Sequence, residues 1–326
     1  MPKLEWNKDT WERTYNWQHR GDEWSQDWGG PSMQWFGTLL PRIHRFVPTG
    51  TILEIAPGFG RWTQFLKDHC QTLVGVDLSE TCVDACRRRF AGASHAMFHV
   101  NDGRSLDMVA DGAVDFAFSF DSLVHADEDV IEGYVAQLAR KLSADGVAFI
   151  HHSNLGAYPY LTRLDELSDT RRRLLVRFKL FEQTLHHRSP TMTAAKMRQF
   201  ADRYGMRCIS QELVPWGAHT SVLRPALLDC MSTLVPRTSS RRQENRVFEN
   251  RFFGAEAQNL ARLAAVYGAF DGVEQRESIE GPRRVHRRVS CGVRLQPDLA
   301  PENVGPASAR SREAPVAGQP GRIGLS

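Results

Sequence analysis

The sequence contains no apolar run that approaches the roughly 20 residues needed to span a bilayer. Its first residues, MPKLEWNKDTWERTYNW, are too polar for the apolar core of a signal peptide. None of its six cysteines belongs to a C-x-x-C pair. These absences predict a reduced, cytoplasmic protein that has no membrane partner.

Excess positive charge is also absent from most of the chain, although the net charge is +3. Residues 281–326 contain eight arginines and three acidic residues, a balance of +5, which leaves −2 for residues 1–280. Nucleic acid is therefore not expected as a partner on bulk charge, although a local basic patch stays open. Residues 281–326 are rich in Pro, Gly, Ala, Ser and Arg without apolar periodicity, so we expect a disordered tail.

The residues from Thr51 to Glu80 predict a strand, a glycine turn, a helix and a second strand. Thr51–Ala56 is a short apolar run typical of a buried parallel strand, and Leu73–Val76 is another. Asp77 ends the second strand, where a carboxylate can accept hydrogen bonds from both hydroxyls of a ribose. A dinucleotide motif G-x-G-x-x-G would need Gly or Ala at position 63, which is Thr63.

The turn instead has the pattern Glu54-x-Ala56-x-Gly58-x-Gly60. This pattern resembles motif I of class I S-adenosylmethionine-dependent methyltransferases, usually acidic-x-Gly-x-Gly-x-Gly, with Ala56 in place of the first glycine. Four later segments resemble further motifs of that family in order: 74–79, 99–103, 114–121 and 142–147, the last as the turn into strand five. The resemblance covers roughly residues 31–235.

The resemblance implies S-adenosylmethionine as the cofactor, with Asp77 at the ribose and Asp102 at the adenine amino group. The cofactor-binding residues that it implies are Glu54, Ala56, Gly58, Gly60, Asp77, Leu78, Asp102, Gly103, Phe120 and Asp121. It also implies an α/β fold with a Rossmann-like, doubly wound sheet of seven mostly parallel strands, of which the last is antiparallel. We expect its final hairpin at Met206–Leu213 and Leu227–Val235.

The chain outside this region suggests four divisions. Residues 1–48 contain six of the eight tryptophans and predict an aromatic arm and a helix, and residues 49–238 would form the methyltransferase domain. The arm could close over the cofactor, stack on a sugar or ring substrate, or only anchor itself to the domain. Within the domain, residues 154–190 predict a charged, helical insertion that covers the substrate. Residues 239–280 should be helical, and residues 281–326 form the predicted tail.

Three histidines are candidates for a general base, because imidazole titrates close to neutral pH. His125 follows strand four, and His151 and His152 end strand five, all near the expected cleft. We rank His125 first and His152 second, and we also consider a structural hydrogen-bonding role for each. A metal site built from Asp121, His125 and His152 has no support from ligand spacing, so no metal is expected.

These observations predict a methyltransferase that modifies a hydroxyl of a small polar acceptor such as a sugar or glycan precursor. N-methylation of an amine or amino sugar is the first alternative, and a non-catalytic subunit that binds S-adenosylmethionine is the second. The Asn/Asp-Pro-Pro-aromatic signature of DNA- and RNA-methylating relatives is absent, since the segment after strand four reads Phe120-Asp121-Ser122-Leu123. The sequence leaves the oligomeric state open.

Overall fold

A computed structural model describes residues 4–165, 170–171, 177, 187–216 and 226–267. Its strands are β1 Thr49–Ile55, β2 Cys70–Asp77, β3 Ala96–Val100, β4 Val114–Ser119, β5 Leu142–Ser153, β6 Met206–Val214, β7 Asp229–Pro236 and β8 Arg246–Glu249. Its α-helices are α1 Leu4–Asp9, α2 Pro31–Gln34, α3 Leu40–Ile43, α4 Thr63–Leu66, α5 Glu80–Arg89, α6 Glu128–Lys141, α7 Pro159–Asp165, α8 Ala194–Arg203 and α9 Phe253–Tyr267.

The strands form one sheet in the order β3-β2-β1-β4-β5-β7-β6-β8. The first five in that order run parallel, and β7 is antiparallel to both β5 and β6. The predicted Rossmann-like α/β fold and its final antiparallel hairpin are therefore present. The chain adds β2 and β3 on one side of β1 and then continues with β4 on the other side. This switch in strand order leaves a crevice beyond the carboxyl ends of the strands, where α/β proteins bind ligands.

The predicted count of seven strands is wrong, because β8 adds an eighth, parallel to β6. Residues 239–280 were expected to be helical, yet the helix α9 begins only at Phe253. All four residues of β8 are exposed, so this edge strand lacks the apolar alternation that would have marked it in the sequence. The segment 142–147 was expected as a turn and instead begins β5, where its pairing with β4 shifts register.

The buried strands β1, β2 and β4 hold the core on both faces of the sheet. Leu53 and Ile55 of β1 pack in one apolar cluster, and Ile52 packs in the other, as alternation along a strand requires. The helix α5 starts after β2, and Ser79 caps it by accepting a hydrogen bond from the Cys82 backbone N–H at 3.2 Å. These local features fix the ends of β1 and β2 at the crevice.

The segment 4–28, called the arm below, consists of α1, a π-helical turn and two 3₁₀ helices. Its C-terminal end packs against α9: the Trp28 and Phe253 rings lie 5.8 Å apart in an edge-on contact. Gly29 is required here, because a Cβ atom at this position would lie 2.5 Å from the Ala264 Cβ atom. The helix α9 thus holds the C-terminal end of the arm.

Most of the predicted substrate cover at 154–190 and all of the predicted tail at 281–326 lie outside the described residues. The described part of the cover contains α7 and a 3₁₀ turn, Leu155–Ala157. Among the described residues, no helix is both long enough and apolar enough to cross a membrane.

Candidate active site

A cavity of about 520 Å³ lies beyond the carboxyl ends of β1, β2 and β4. This volume is within the usual range for a small-molecule site, roughly 300–1,000 Å³. Its floor, as the term is used below, consists of residues 56–59, 76–78 and 120–123. Its roof consists of the arm residues Leu4, Glu5, Asn7, Trp11, Trp17, Arg20, Gly21 and Trp24.

The turn after β1 has a left-handed backbone at three of its alternating positions. Ala56 has φ 58°, Gly58 has φ 58° and Gly60 has φ 84°. Of these three predicted cofactor-binding residues, Ala56 and Gly58 line the cavity and Gly60 does not. A Cβ atom at Gly60 would lie 2.4 Å from the Phe90 ring, so this glycine permits close packing of the turn against α5.

Asp77 lies buried in the floor at the end of β2, with Leu78 beside it. Its Oδ2 atom accepts a hydrogen bond from the Gly58 N–H at 3.1 Å, and its Oδ1 atom accepts one from the Ser79 N–H at 2.9 Å. Burial raises the pKa of Asp77 to about 6, although these two backbone donors act in the opposite direction. Each carboxylate oxygen has a second lone pair, so Asp77 can still accept hydrogen bonds from a ribose.

Glu54 is fully buried below the floor and does not line the cavity. Its Oε2 atom accepts a hydrogen bond from the Thr63 hydroxyl at 2.5 Å, while Oε1 has no partner among the described residues. Burial raises the pKa of Glu54 to about 8, and the nearby Asp77 carboxylate adds to this effect. The motif acid therefore supports the turn from below and is largely protonated at neutral pH.

The residues after β3 divide between the cavity and the exterior. Gly103, with φ 76°, lines the cavity directly below Leu4 of the roof. The Asp102 side chain does not line it, and its Oδ1 atom accepts hydrogen bonds from the backbone N–H groups of Arg104 and Ser105. The structure thus gives Asp102 the role of closing a tight turn.

Phe120 and Asp121 directly follow β4 and line the cavity. Asp121 has φ 63°, a conformation that non-glycine residues adopt uncommonly. Its Oδ2 atom forms a buried ion pair with Arg61 Nη2 at 2.7 Å. Arg61 also lies over the Trp62 ring, 4.6 Å from its centroid, and contacts Trp24 of the roof at 6.0 Å.

The roof is an aromatic cluster centred on Trp11, Trp17 and Trp24. Trp17 stacks on Phe59 of the floor with ring centroids 4.4 Å apart and planes 4° from parallel. Tyr15 joins the cluster through hydrogen bonds with Glu23 and with the Trp24 indole N–H. Of the alternatives for the arm, closure over the binding site is therefore what the geometry favours, with anchoring provided by Trp28.

The N-terminal half of the arm is held to the loops that surround the cavity. The Asn7 side chain donates a hydrogen bond to the His125 carbonyl at 3.1 Å, and Trp6 stacks on His187 at 5.0 Å. Glu12 accepts hydrogen bonds from the Thr81 hydroxyl at 3.0 Å and from its N–H at 3.3 Å, at the start of α5. The roof is thus attached to the floor by specific polar contacts.

None of the three candidate histidines lines the cavity. His125 lies behind the wall, with its ring 5.7 Å from Trp11 and its Nδ1 atom 3.1 Å from the His187 carbonyl. Its Nε2 atom has no partner among the described residues, and burial lowers the pKa of His125 to about 4.

The other two histidines are fully buried in β5. Both ring nitrogens of His152 have partners, the Ser153 carbonyl and the Ser232 hydroxyl, each at 2.8 Å. The Nδ1 atom of His151 accepts a hydrogen bond from the Asp121 backbone N–H at 3.1 Å. Neither residue is placed to meet an acceptor in the cavity, in contrast to the prediction.

Several residues that line the cavity outside the floor and the roof were not predicted, among them Arg61, Arg104, Asp127, Asp129 and Tyr134. Arg61 directly follows Gly60, so its position after the glycine turn was a usable signal. The others come from the loop after β3 and from α6, and their approach to the cavity is a tertiary effect. Among the described residues, no group of three or more His, Cys, Asp or Glu side chains could hold a metal ion.

Comparison with known proteins supports the chemistry of the floor. Residues 52–146 match the family model of a methyltransferase domain, and this range includes every floor residue. No curated protein matches the chain. Residues 52–146 are therefore similar to a methyltransferase domain, and the cofactor that this match indicates is S-adenosylmethionine.

Solved structures with a similar fold include the PH0226 protein of Pyrococcus horikoshii, 20% identical over 70% of this chain and 95% of that one, with a TM-score of 0.45. The YcgJ protein of Bacillus subtilis is 14% identical over 57% and 91%, with a TM-score of 0.41. A TehB-like SAM-dependent methyltransferase of Corynebacterium glutamicum is 17% identical over 57% and 80%, with a TM-score of 0.37.

Proposed function

We propose that this methyltransferase acts on a hydroxyl of a small polar acceptor, such as a sugar or a glycan precursor. The observation that supports the proposal most directly is the roof of Trp11, Trp17 and Trp24 above a cavity whose lining includes the carboxylates of Asp121 and Asp127. Indole rings pack against the C–H faces of sugar rings, while carboxylates accept hydrogen bonds from hydroxyl groups. The cavity thus presents both kinds of surface that a polyhydroxylated ring requires.

The closed shape and the charge of the cavity favour a small acceptor over a nucleic acid. The arm covers the floor, and the cavity volume of about 520 Å³ suits a cofactor with a small substrate. Five acidic residues and three arginines line the cavity, a formal balance of −2. Two of the arginines are paired with lining carboxylates, Arg104 with Asp129 and Arg61 with Asp121, each at 2.7 Å. A polyanionic substrate would meet repulsion here.

The residues of the floor fit the proposed cofactor. Asp77 would hold the ribose hydroxyls, and the backbone of residues 56–59 would pass beneath the remainder of the molecule. When bound, S-adenosylmethionine would supply a methyl group carried on a positively charged sulfur. An acceptor oxygen would attack the methyl carbon in line with the carbon–sulfur bond, and S-adenosylhomocysteine would leave. The protein has to align that oxygen and accept its proton.

His125 remains our candidate for the proton acceptor. A carbonyl oxygen can only accept a hydrogen bond, so the contact with His187 O places the imidazole proton on Nδ1. The Nε2 atom then has a lone pair, and it has no partner among the described residues. Since the pKa of His125 is lowered to about 4 by burial, the ring is neutral at working pH and can take a proton as the new bond forms.

An amine acceptor is the second candidate, because the carboxylates in the wall would also attract an ammonium group. Asp127 lies at the start of α6 and accepts a hydrogen bond from the Ser189 hydroxyl at 2.9 Å. Methyl transfer to nitrogen requires less help from a base. The two candidates therefore differ in how strongly the rate depends on His125.

The proposal is tested with methyl-labelled S-adenosylmethionine and a panel of monosaccharides, nucleotide sugars and the corresponding amino sugars. We expect label in a hydroxyl-bearing acceptor, identified by mass spectrometry as a gain of one methyl group on oxygen. The Asp77→Ala variant is the control, because it should lose transfer through loss of the cofactor. Label found only on amino groups would favour the second candidate, and cofactor binding without any transfer across the panel would count against both.

A further inference from the structure

His151 lies in a buried chain of polar contacts that ends at the cavity wall. Its Nδ1 atom accepts the Asp121 backbone N–H at 3.1 Å, and its Nε2 atom lies 3.5 Å from Asp229 Oδ2. Asp229 in turn accepts two hydrogen bonds from Arg188, at 2.6 and 2.7 Å. Asp121 is bonded to Arg61, so the chain joins two buried ion pairs on opposite sides of one imidazole.

The backbone of Asp121 needs this support. A φ angle of 63° at a non-glycine residue costs free energy and persists only where the surroundings fix it. The Asp121 N–H donates its hydrogen bond to His151 of β5. Without that acceptor, the buried N–H would have no partner and the turn would lose its main restraint.

The His151 ring packs between two aromatic side chains, and its Nε2 atom faces Asp229 without a hydrogen bond shorter than 3.5 Å. It stacks on Phe120 at 4.6 Å and lies 5.2 Å from Trp216, and it is completely buried. Burial alone would raise the pKa of Asp229, but the Arg188 guanidinium and His151 hold it well below its usual range. The charged Asp229 carboxylate faces Nε2 of His151 and so favours a proton on that nitrogen, which keeps Nδ1 available for Asp121.

We infer that His151 is a positioning residue of the methyltransferase site: it holds Asp121 in its left-handed conformation and so sets the Asp121–Arg61 ion pair in the cavity wall. Asp121 Oδ2 is committed to Arg61, while Oδ1 has no hydrogen bond within the described part of the chain. Displacement of Asp121 would move both a carboxylate and a guanidinium that line the cavity. This inference rests on S-adenosylmethionine as the cofactor and is independent of the acceptor.

The tautomer of His151 tests the inference in the unmodified protein. Histidine labelled with ¹⁵N should show His151 protonated on Nε2 and His125 protonated on Nδ1, two opposite tautomers in two buried rings. The assignment is made by comparing spectra of single-histidine variants. A proton on Nδ1 of His151 would contradict the hydrogen bond from Asp121 and overturn the inference without any need for a stable variant.

Variants test the consequence for the site, with His152 as the matched control. His151→Leu removes the acceptor, His151→Asn can restore a carbonyl acceptor near Nδ1, and His152→Leu removes an equally buried imidazole that bonds to Ser153 and Ser232 instead. We expect His151→Leu to weaken S-adenosylhomocysteine binding by at least about fivefold in calorimetry, because a buried N–H loses its partner. It should also shift the Asp121 amide resonance.

The His151→Asn variant distinguishes a positioning role of His151 from a general contribution to stability. His151→Asn should recover most of the affinity and the Asp121 resonance, whereas His152→Leu should lower the melting temperature and leave both unchanged. Equal losses in His151→Leu and His152→Leu, or wild-type affinity in a folded His151→Leu protein, would overturn the inference. If the wild-type protein itself does not bind S-adenosylhomocysteine, the cofactor assignment fails, and the tautomers and the Asp121 amide still test the contact.

Discussion

Glu54 makes the stability of this protein depend on pH in a direction opposite to that of most carboxylates. Its pKa is about 8 in the folded protein, because burial disfavours the charged form, and close to 4.5 when the chain is unfolded. The folded state therefore binds this proton more tightly. The stability that the protonated group contributes is complete below pH 4.5 and is lost as the pH rises through 8.

The expected size of the effect follows from the two pKa values. Linkage gives about 1.4 kcal/mol for each pH unit between them, so the full range amounts to roughly 5 kcal/mol. Between pH 5.5 and 7.5 the wild-type protein should lose about 2–3 kcal/mol of unfolding free energy through Glu54 alone. Glu54→Gln is neutral at every pH, and it should lack this loss whatever constant offset it carries.

Urea unfolding of both proteins at several pH values measures the difference directly. The titration of Asp77 is common to both proteins and cancels to first order. Thr63→Val provides a second comparison: the Thr63 hydroxyl lowers the pKa of Glu54, so its removal should extend the loss of stability to higher pH. Parallel stability curves for wild type and Glu54→Gln from pH 5 to 8 would refute a buried, protonated Glu54.

Other predictions concern binding and catalysis. Asp77→Ala should weaken S-adenosylhomocysteine binding by about 2–4 kcal/mol in calorimetry, and unchanged affinity would remove the ribose assignment. His125→Asn should lower kcat by about a hundredfold with little change in melting temperature. The wild-type rate should fall only below about pH 5, because the folded pKa of His125 is about 4 and its neutral form is the base; a stable rate in the variant would exclude this base. Trp17→Ala should weaken cofactor binding by about two- to tenfold through loss of its stack on Phe59, with Trp6→Ala as a control outside the cavity wall. A chain ending at Glu280 should keep its melting temperature and cofactor affinity, and a loss of several degrees would show that the predicted boundary is wrong.

The floor of the site could be predicted from the sequence because its signals are local. The apolar runs of β1 and β2, the turn at Gly58 and the acid at Asp77 each follow from a few adjacent residues. Their meeting at one edge follows from parallel pairing. The cofactor could therefore be inferred before any tertiary contact was known.

The histidines show where such reasoning ends. His151 and His152 are both fully buried in β5, and the sequence does not reveal that Asp229 and Ser232 of β7 contact these rings. Glu54 and Gly60 belong to the motif, yet one supports the turn from below and the other makes room for Phe90. Motif positions thus combine residues that touch the ligand with residues that shape the backbone around it.

The contact between the arm and α9 has a consequence for how the protein is made. Synthesis proceeds from the N-terminus, so the arm leaves the ribosome first and α9 follows more than 200 residues later. Gly29 cannot meet Ala264, nor Trp28 meet Phe253, until then. We therefore expect a nascent chain that ends before residue 253 to form the cofactor floor with only the N-terminal part of the arm attached to it, and to release S-adenosylhomocysteine faster than the finished protein does.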